Sequence, residues 1–499
     1  MTEAPLLRQA CEWAVSLRLD DIPADVRDLA RAQQLSMDGA VHASLRHPVA
    51  ARLLDRAAGA SALGSPGWAG EAATRALLTM ALDFDETAFA GHLGHASAIP
   101  PMLLAVELGS DGAAAMTAQV AAAEVAARLT AAVTLGPARG QTAAHTHAAA
   151  TVVGGGLLMG LSAGELTTAL SLALAQPRRL LLPAFMATDA KFWVAAGPIL
   201  DASRCLALAA GGAVGLEDLA ETRGGLLEQL AEVPLPEVFS GWGRRWHLRT
   251  LSIKAVPGCA YLTAAVEAAA SMAPIEPGEV EEVEVAGSIF TIAMEAESAA
   301  FIRGPDSPLP ALGFSVGYNL AAALQTGGLD VDDLHGPALA SPERWELAGR
   351  VRLRHDEDLT VAALAATAPV GAAISLAGER ARGWLTSRGA SPGIADRVLA
   401  AATADRDFEQ PSKRIGARLR VRLRDGRVLE AEADAARGCC QEPVADRLAL
   451  AAAKFLAQAS PTAGDGKKAI APWLRYQEMA AAELRGWRDL DPVSARGQR

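Results

Sequence analysis

From residue 4 to about residue 230, apolar residues return every three or four positions. APLLRQACEWAVSL, DVRDLARAQQLSMDGAVHASL and AAAMTAQVAAAEVAARLTAAV all show this spacing, which lines one face of an α-helix. Ser162 and Glu165, in SAGE, form a capping box ahead of LTTALSLALAQ, a helix that Pro177 closes. Gly- and Pro-rich stretches at 61–70 and 135–141 predict loops. The density of Ala and Gly predicts helices that approach one another closely in an all-α domain.

The texture changes after residues 233–246. GEVEEVEVAGSIF and GRVRLRH alternate polar and apolar positions as strands do. RLRVRLRDGRVLEAEA, residues 417–432, reads as a β-hairpin, with Asp425-Gly426 suited to the positive φ angles of a type I′ turn. A helix at 315–327 lies between these strands. Helical spacing returns at 443–459 and 475–487, and residues 491–499 read as a frayed tail. The expected fold is mainly α. A large helical domain is built from residues 1–256 and 439–499, with a smaller α+β lid, residues 257–438, inserted between them. No repeat of solenoid period is present.

Composition narrows the function classes. The 499 residues are 51% apolar, ample for sizeable cores, and the net charge of −11 gives no footprint for nucleic acid. Cys11, Cys205, Cys259, Cys439 and Cys440 form neither a disulfide framework nor a zinc spacing, so a reducing cytosol is the expected setting. The charged opening MTEAPLLRQACEW does not read as a signal peptide. The apolar stretch 147–164 is short and glycine-rich, which predicts a core helix rather than a membrane span. Only six of the 46 cationic residues are lysines, and only Lys191 and Lys254 precede residue 400. An ammonium is a compact charge whose pKa shifts readily on burial, so these two stand out.

The chemistry concentrates first in ALDFDETAFAGHLGHAS, residues 81–97. A helix continuing through DFDET puts Asp83 and Thr87 on one face, leaving Asp85 and Glu86 as cap or surface charges. Gly91 and Gly94 place His92 and His95 on a loop. His145 and His147 open a further helix, whose dipole lowers a histidine pKa toward acid–base use near neutrality. Asp83, His95 and the His-x-His pair supply potential metal ligands, but no HExxH or zinc-ligand array accompanies them, and no metal is expected. Lys191 sits in apolar and aromatic company, and Lys254 just ahead of Pro257 and a helix. No GxGxxG, GxxxxGK[ST] or GxSxG occurs in the required context, so neither a nucleotide cofactor nor a serine nucleophile is expected.

In this order the motifs resemble the MmgE/PrpD family, which includes 2-methylcitrate dehydratase, cis-aconitate decarboxylase and an iminodisuccinate epimerase. LDFDET followed by HAS is similar to the family's LDFDDT followed by HPS. The segment from His145 to MGLS, KFWVAAG at Lys191, KAVPGCAYLTAAVEAA at Lys254, FSVGYNLAAAL with Tyr318, and the closing RDGRV…EPVADRLALAAAKF each match a family motif. The likeness spans about residues 5 to 460. It implies a helical domain with an α+β lid and the site between them, a cofactor-free homodimer, and chemistry at a carbon next to a carboxylate.

By the same resemblance, Lys191 and Lys254 stabilise developing negative charge on a small carboxylate substrate. His95 and His145 are the acid–base candidates, with Tyr318 as a proton donor and Asp83 as an orienting carboxylate. Thr87, His92, His147, Cys259 and Tyr261 are the substrate-binding candidates. The implied reaction is dehydration of a 2-methylcitrate-like hydroxy acid; decarboxylation, epimerisation and a non-catalytic ligand-binding role are the alternatives. Met80 stands where the family carries His, Ala96 replaces the proline of HPS, and Gly258-Cys259 replaces a His or Cys pair. Tyr261 falls where dehydratase-like members carry His.

Overall fold

The computed structural model describes residues 4–58, 67–137, 143–179, 181–402, 408–463 and 470–488. The loops expected at 61–70 and 135–141 lie largely outside these residues, and the 491–499 tail lies wholly outside them. The chain is mainly α-helical, with one small sheet among the described residues. The capping box at Ser162 and Glu165 forms as expected and starts the helix Ala163–Leu174.

Small residues set the spacing of the helical domain. The helix Ala24–Arg46 packs along Val444–Ala463, so the C-terminal segment returns to the first domain. A methyl group at Gly39 would stand 3.2 Å from the Cα of Phe455, a separation that only glycine leaves relaxed. The helix Ala143–Leu158 is equally tight: a Cβ on Gly156 would meet Leu166 Cδ1 at 2.4 Å. This is why the 147–164 stretch is so poor in large side chains. Among the described residues, one unbroken helix, Ala190–Ala210, is long and apolar enough to cross a membrane. Yet 61% of its most apolar window is buried inside the protein.

The sheet has the order β2-β1-β3-β4, with β1 Val280–Gly287, β2 Val351–His355, β3 Ala417–Leu423 and β4 Val428–Ala433. β1 and β2 are parallel, joined by a crossover that holds the helices Ile289–Ala299 and Val316–Thr326. β3 runs antiparallel to both β1 and β4. Val283 and Val285 of β1 and Leu419 and Val421 of β3 share one buried face with Leu262, Val266, Leu320 and Leu324. The hairpin forms where expected, but not through a type I′ turn. Positive φ is confined to Gly426, at +90°, and Leu423 and Arg427 close a three-residue loop.

Two cores meet at the 82–84 segment. Leu82 and Phe84 belong to the core under the sheet, whereas Met80 and Ala81 belong to the helical core. The helices between Glu357 and Ala401 put Leu364, Ile374, Trp384 and Val398 into the helical core rather than under the sheet. Trp384 Nε1 donates to the Gly136 carbonyl at 3.0 Å, tying this segment to the helical domain.

Candidate active site

The helix Trp68–Ala81 stops before the acidic run begins. Asp83 takes a left-handed conformation with φ at 50°, which an aspartate tolerates better than most residues and which ends the helical path. Thr87 then pairs with Ser252, each backbone N–H donating to the other's carbonyl, at 3.1 and 2.7 Å. The expected helix through DFDET is therefore replaced by a buried turn. Asp83 and Thr87 still reach one cavity, by a turn and a strand-like bridge rather than by a shared helix face. Asp85 and Glu86 are not surface or cap charges: both are fully buried.

Four lysines converge on this turn. Lys191 Nζ lies 3.2 Å from Asp83 Oδ2, and Lys254 Nζ lies 3.2 Å from Asp83 Oδ1 and 3.3 Å from Asp85 Oδ1. Lys254 also donates to the Asp83 backbone carbonyl. Lys413 Nζ donates to Thr87 Oγ1 at 2.6 Å. Lys454 donates to Ser36 Oγ at 2.9 Å and to the Phe84 carbonyl, with its ammonium 4.0 Å from the Phe84 ring centre. Burial opposes ionisation of Asp83, but Lys191 and Lys254 outweigh it and hold the carboxyl below its ordinary range. Asp85 is held well below that range against the same burial penalty, by His92, Lys254 and His95. Burial lowers Lys413, and burial with Lys254 nearby lowers Lys454 to about 7.

Asp85 also organises the histidines. Its Oδ2 lies 2.5 Å from His92 Nδ1 and 3.2 Å from His95 Nε2, the latter not aligned as a hydrogen bond. His95 sits in the short helix Gly94–Ser97, and its Nδ1 lies 2.7 Å from Thr79 Oγ1. Burial disfavours the charged form of His92, but Asp85 prevails and raises its pKa. Glu86 moves the other way: burial and then Asp85 raise its pKa, partly offset by a 2.6 Å bond from Gln33 Nε2 and by His95 and His92.

Asp83, Thr87, His92, Cys259, Tyr261 and Lys413 share the wall of one cavity of about 100 Å³. His92 is the histidine that faces it, while His95 lies behind, fully buried. Tyr261 stacks on Phe290 with ring centres 5.1 Å apart, and burial raises its pKa, keeping it protonated. Burial likewise pushes the Cys259 thiol up to about 12.

Three expected residues, His145, His147 and Tyr318, lie away from this cavity. Positions 145 and 147 are two apart on the helix Ala143–Leu158 and so point to opposite faces. His147 lies edge-on to His95, ring centres 5.4 Å apart, and burial holds its pKa well below the ordinary value. His145 instead lines a separate cleft beside Arg178, Asp201 and Cys205, and burial lowers its pKa to about 3. Tyr318 lies under the sheet, its hydroxyl donating to the Asp333 carbonyl and its ring against Trp345. It does not line the cavity.

Reasoning from the sequence missed Asp85, Lys413 and Lys454 as parts of the site. The available signal was lysine scarcity carried past residue 400. Every lysine among the described residues reaches the 83–87 turn.

Asp85, His92 and His95 place one donor atom each within 4.8 Å of one another, the one such group among the described residues. The Lys254 ammonium already occupies the other oxygen of Asp85, and its charge works against a metal cation at that point. The donor set is better matched to moving a proton.

Family models match the chain twice: the MmgE/PrpD N-terminal domain over residues 8–237 and the MmgE/PrpD C-terminal domain over residues 256–379. No curated protein matches the chain.

Proposed function

This chain belongs to the MmgE/PrpD family, and from that premise we propose that its cavity removes a proton from a carbon next to a carboxylate. The observation that carries this reading is His92, paired with Asp85 behind it and facing the same cavity as Lys413 and Tyr261. Asp85 fixes the His92 ring through Nδ1, which leaves Nε2 as the atom free to take a proton. Its raised pKa keeps His92 able to hold that proton once taken.

The proposed reaction is the elimination of water from a 3-hydroxy acid, of which a 2-methylcitrate-like compound is one example. His92 accepts the proton from C2, and the C–H electron pair becomes the C2–C3 double bond. The C3–O bond breaks, and the leaving hydroxyl takes a proton from Tyr261 and departs as water. Proton return from His92 to the Tyr261 oxygen, through solvent, resets the site. Charge that builds on the carboxylate oxygens during proton loss is stabilised by Lys413. Asp83, held between Lys191 and Lys254, keeps both ammoniums in place beside the cavity.

Proton NMR in D₂O tests this directly, with citrate, 2-methylcitrate, cis-aconitate, aminated dicarboxylates and 3-hydroxy monocarboxylates offered in turn. Exchange of the proton at C2, or conversion to the alkene, supports the reading. Binding of an acid with no exchange at any carbon would leave a ligand-binding homologue in its place.

A further inference from the structure

Resting on that reading of the cavity, we infer that its substrate carries a single carboxylate on an apolar chain, rather than the two or three carboxylates of a citrate-like acid. Among the described residues three lysines stand at or beside the cavity, but they are not equally available. Lys191 and Lys254 are both spent on Asp83, and Lys191 is further shielded by the rings of Phe185 and Phe314, whose centres lie 5.2 and 4.7 Å from its Nζ. Lys413 is the lysine in the lining itself. Among the described residues one available lysine balances one carboxylate.

The remaining wall is apolar. Met80, Phe185, Met186, Val194, Met294 and Phe314 come from five separate stretches of chain and meet around the same space. A second carboxylate placed against them would lose its water and gain no partner, whereas an alkyl or aryl tail would bury apolar surface. Met294 is the clearest probe of this wall. It lies on the helix Ile289–Ala299 and is only half-buried.

Isothermal titration of the full-length protein with 3-hydroxyhexanoate, 3-hydroxyglutarate and citrate provides the test, because binding is read independently of turnover. The expected result is that 3-hydroxyhexanoate binds at least about tenfold more tightly than either polycarboxylate. Met294→Arg, which adds a cation to the apolar wall, should narrow or reverse that preference. Lys413→Met should weaken all three. Tighter binding of citrate or 3-hydroxyglutarate to the unaltered protein overturns the inference, as does equal affinity or no binding by any of them. Exchange in D₂O on a tricarboxylate would keep the proposed reaction and remove this substrate class. Tight 3-hydroxyhexanoate binding without exchange would do the opposite.

Discussion

On the outer face of the sheet, Arg354 pairs with Glu284, Arg422 with Glu281 and Arg420 with Glu430, each side chain close to half exposed or more. Around the 83–87 turn, Lys191, Lys254, Lys413 and Lys454 are at most 5% exposed. The outer pairs sit in water, where screening and side-chain entropy leave about 0–1 kcal/mol each. They keep the sheet soluble and its edges charged, and one can be lost without consequence for the rest. The inner lysines have surrendered their water and depend on particular oxygens. Among the described residues the cations divide accordingly: arginine supplies the charge on the exposed ladder, and the lysines gather at the buried turn, where a compact ammonium fits between a carboxylate and a backbone carbonyl.

Breaking the inner set should have the largest effect. Lys254→Met strips a cation from Asp83 and Asp85 together, leaving uncompensated buried charge. Loss of about 3–5 kcal/mol of stability is expected, measured by denaturant unfolding. Lys191→Met leaves Asp83 its second lysine. Turnover there should fall by about 10²–10³-fold with little change in the melting temperature. Full activity in either variant would remove that lysine from the mechanism.

Lys454 gives an intermediate and pH-dependent effect. Its folded pKa of about 7 lies below the ordinary 10.5, so between those values the unfolded chain holds a proton that the folded chain lacks. Stability relative to Lys454→Met should therefore be lowest below pH 7 and rise as the pH climbs from about 7 towards 10. Melting temperatures of the two proteins across that range check the sign, and parallel curves would show that Lys454 is protonated throughout. The smallest effect is expected on the outer ladder. Arg420→Ala should change stability by no more than about 0.5 kcal/mol, and a shift of several degrees would mean that the two settings are less different than their exposure implies.

Much of this was legible from residue order. The helical spacing, the capping box at Ser162, the two alternating strands, the hairpin and the return of the 444–463 helix all follow from local pattern. The grouping of Asp83, Thr87, His92, Cys259 and Tyr261 came instead from the family resemblance, and these five line one cavity. The failures have a common physical source, which is direction. Nothing local to DFDET announces that Asp83 will turn left-handed, so Asp85 was assigned to the surface when it is the hub of the site. His145 and His147 were both expected at the site, in different roles, but a helix sends the two histidines to opposite faces. Tyr318 lies on the expected helix, yet its ring turns toward Trp345 and away from the cavity. Lys413 and Lys454 come from residues more than 300 positions away, and only folding brings them to the turn.

The account stands or falls on which of these groups handles the proton. The decisive measurement is the rate of solvent deuterium exchange into the bound acid for His92→Gln, His145→Gln and Tyr318→Phe, each checked for native folding. His92→Gln should lose about 10²–10⁴-fold, while the other two stay within about threefold of the unaltered protein, because neither side chain lines the cavity. Exchange that survives in His92→Gln, or collapses in His145→Gln or Tyr318→Phe, would contradict it.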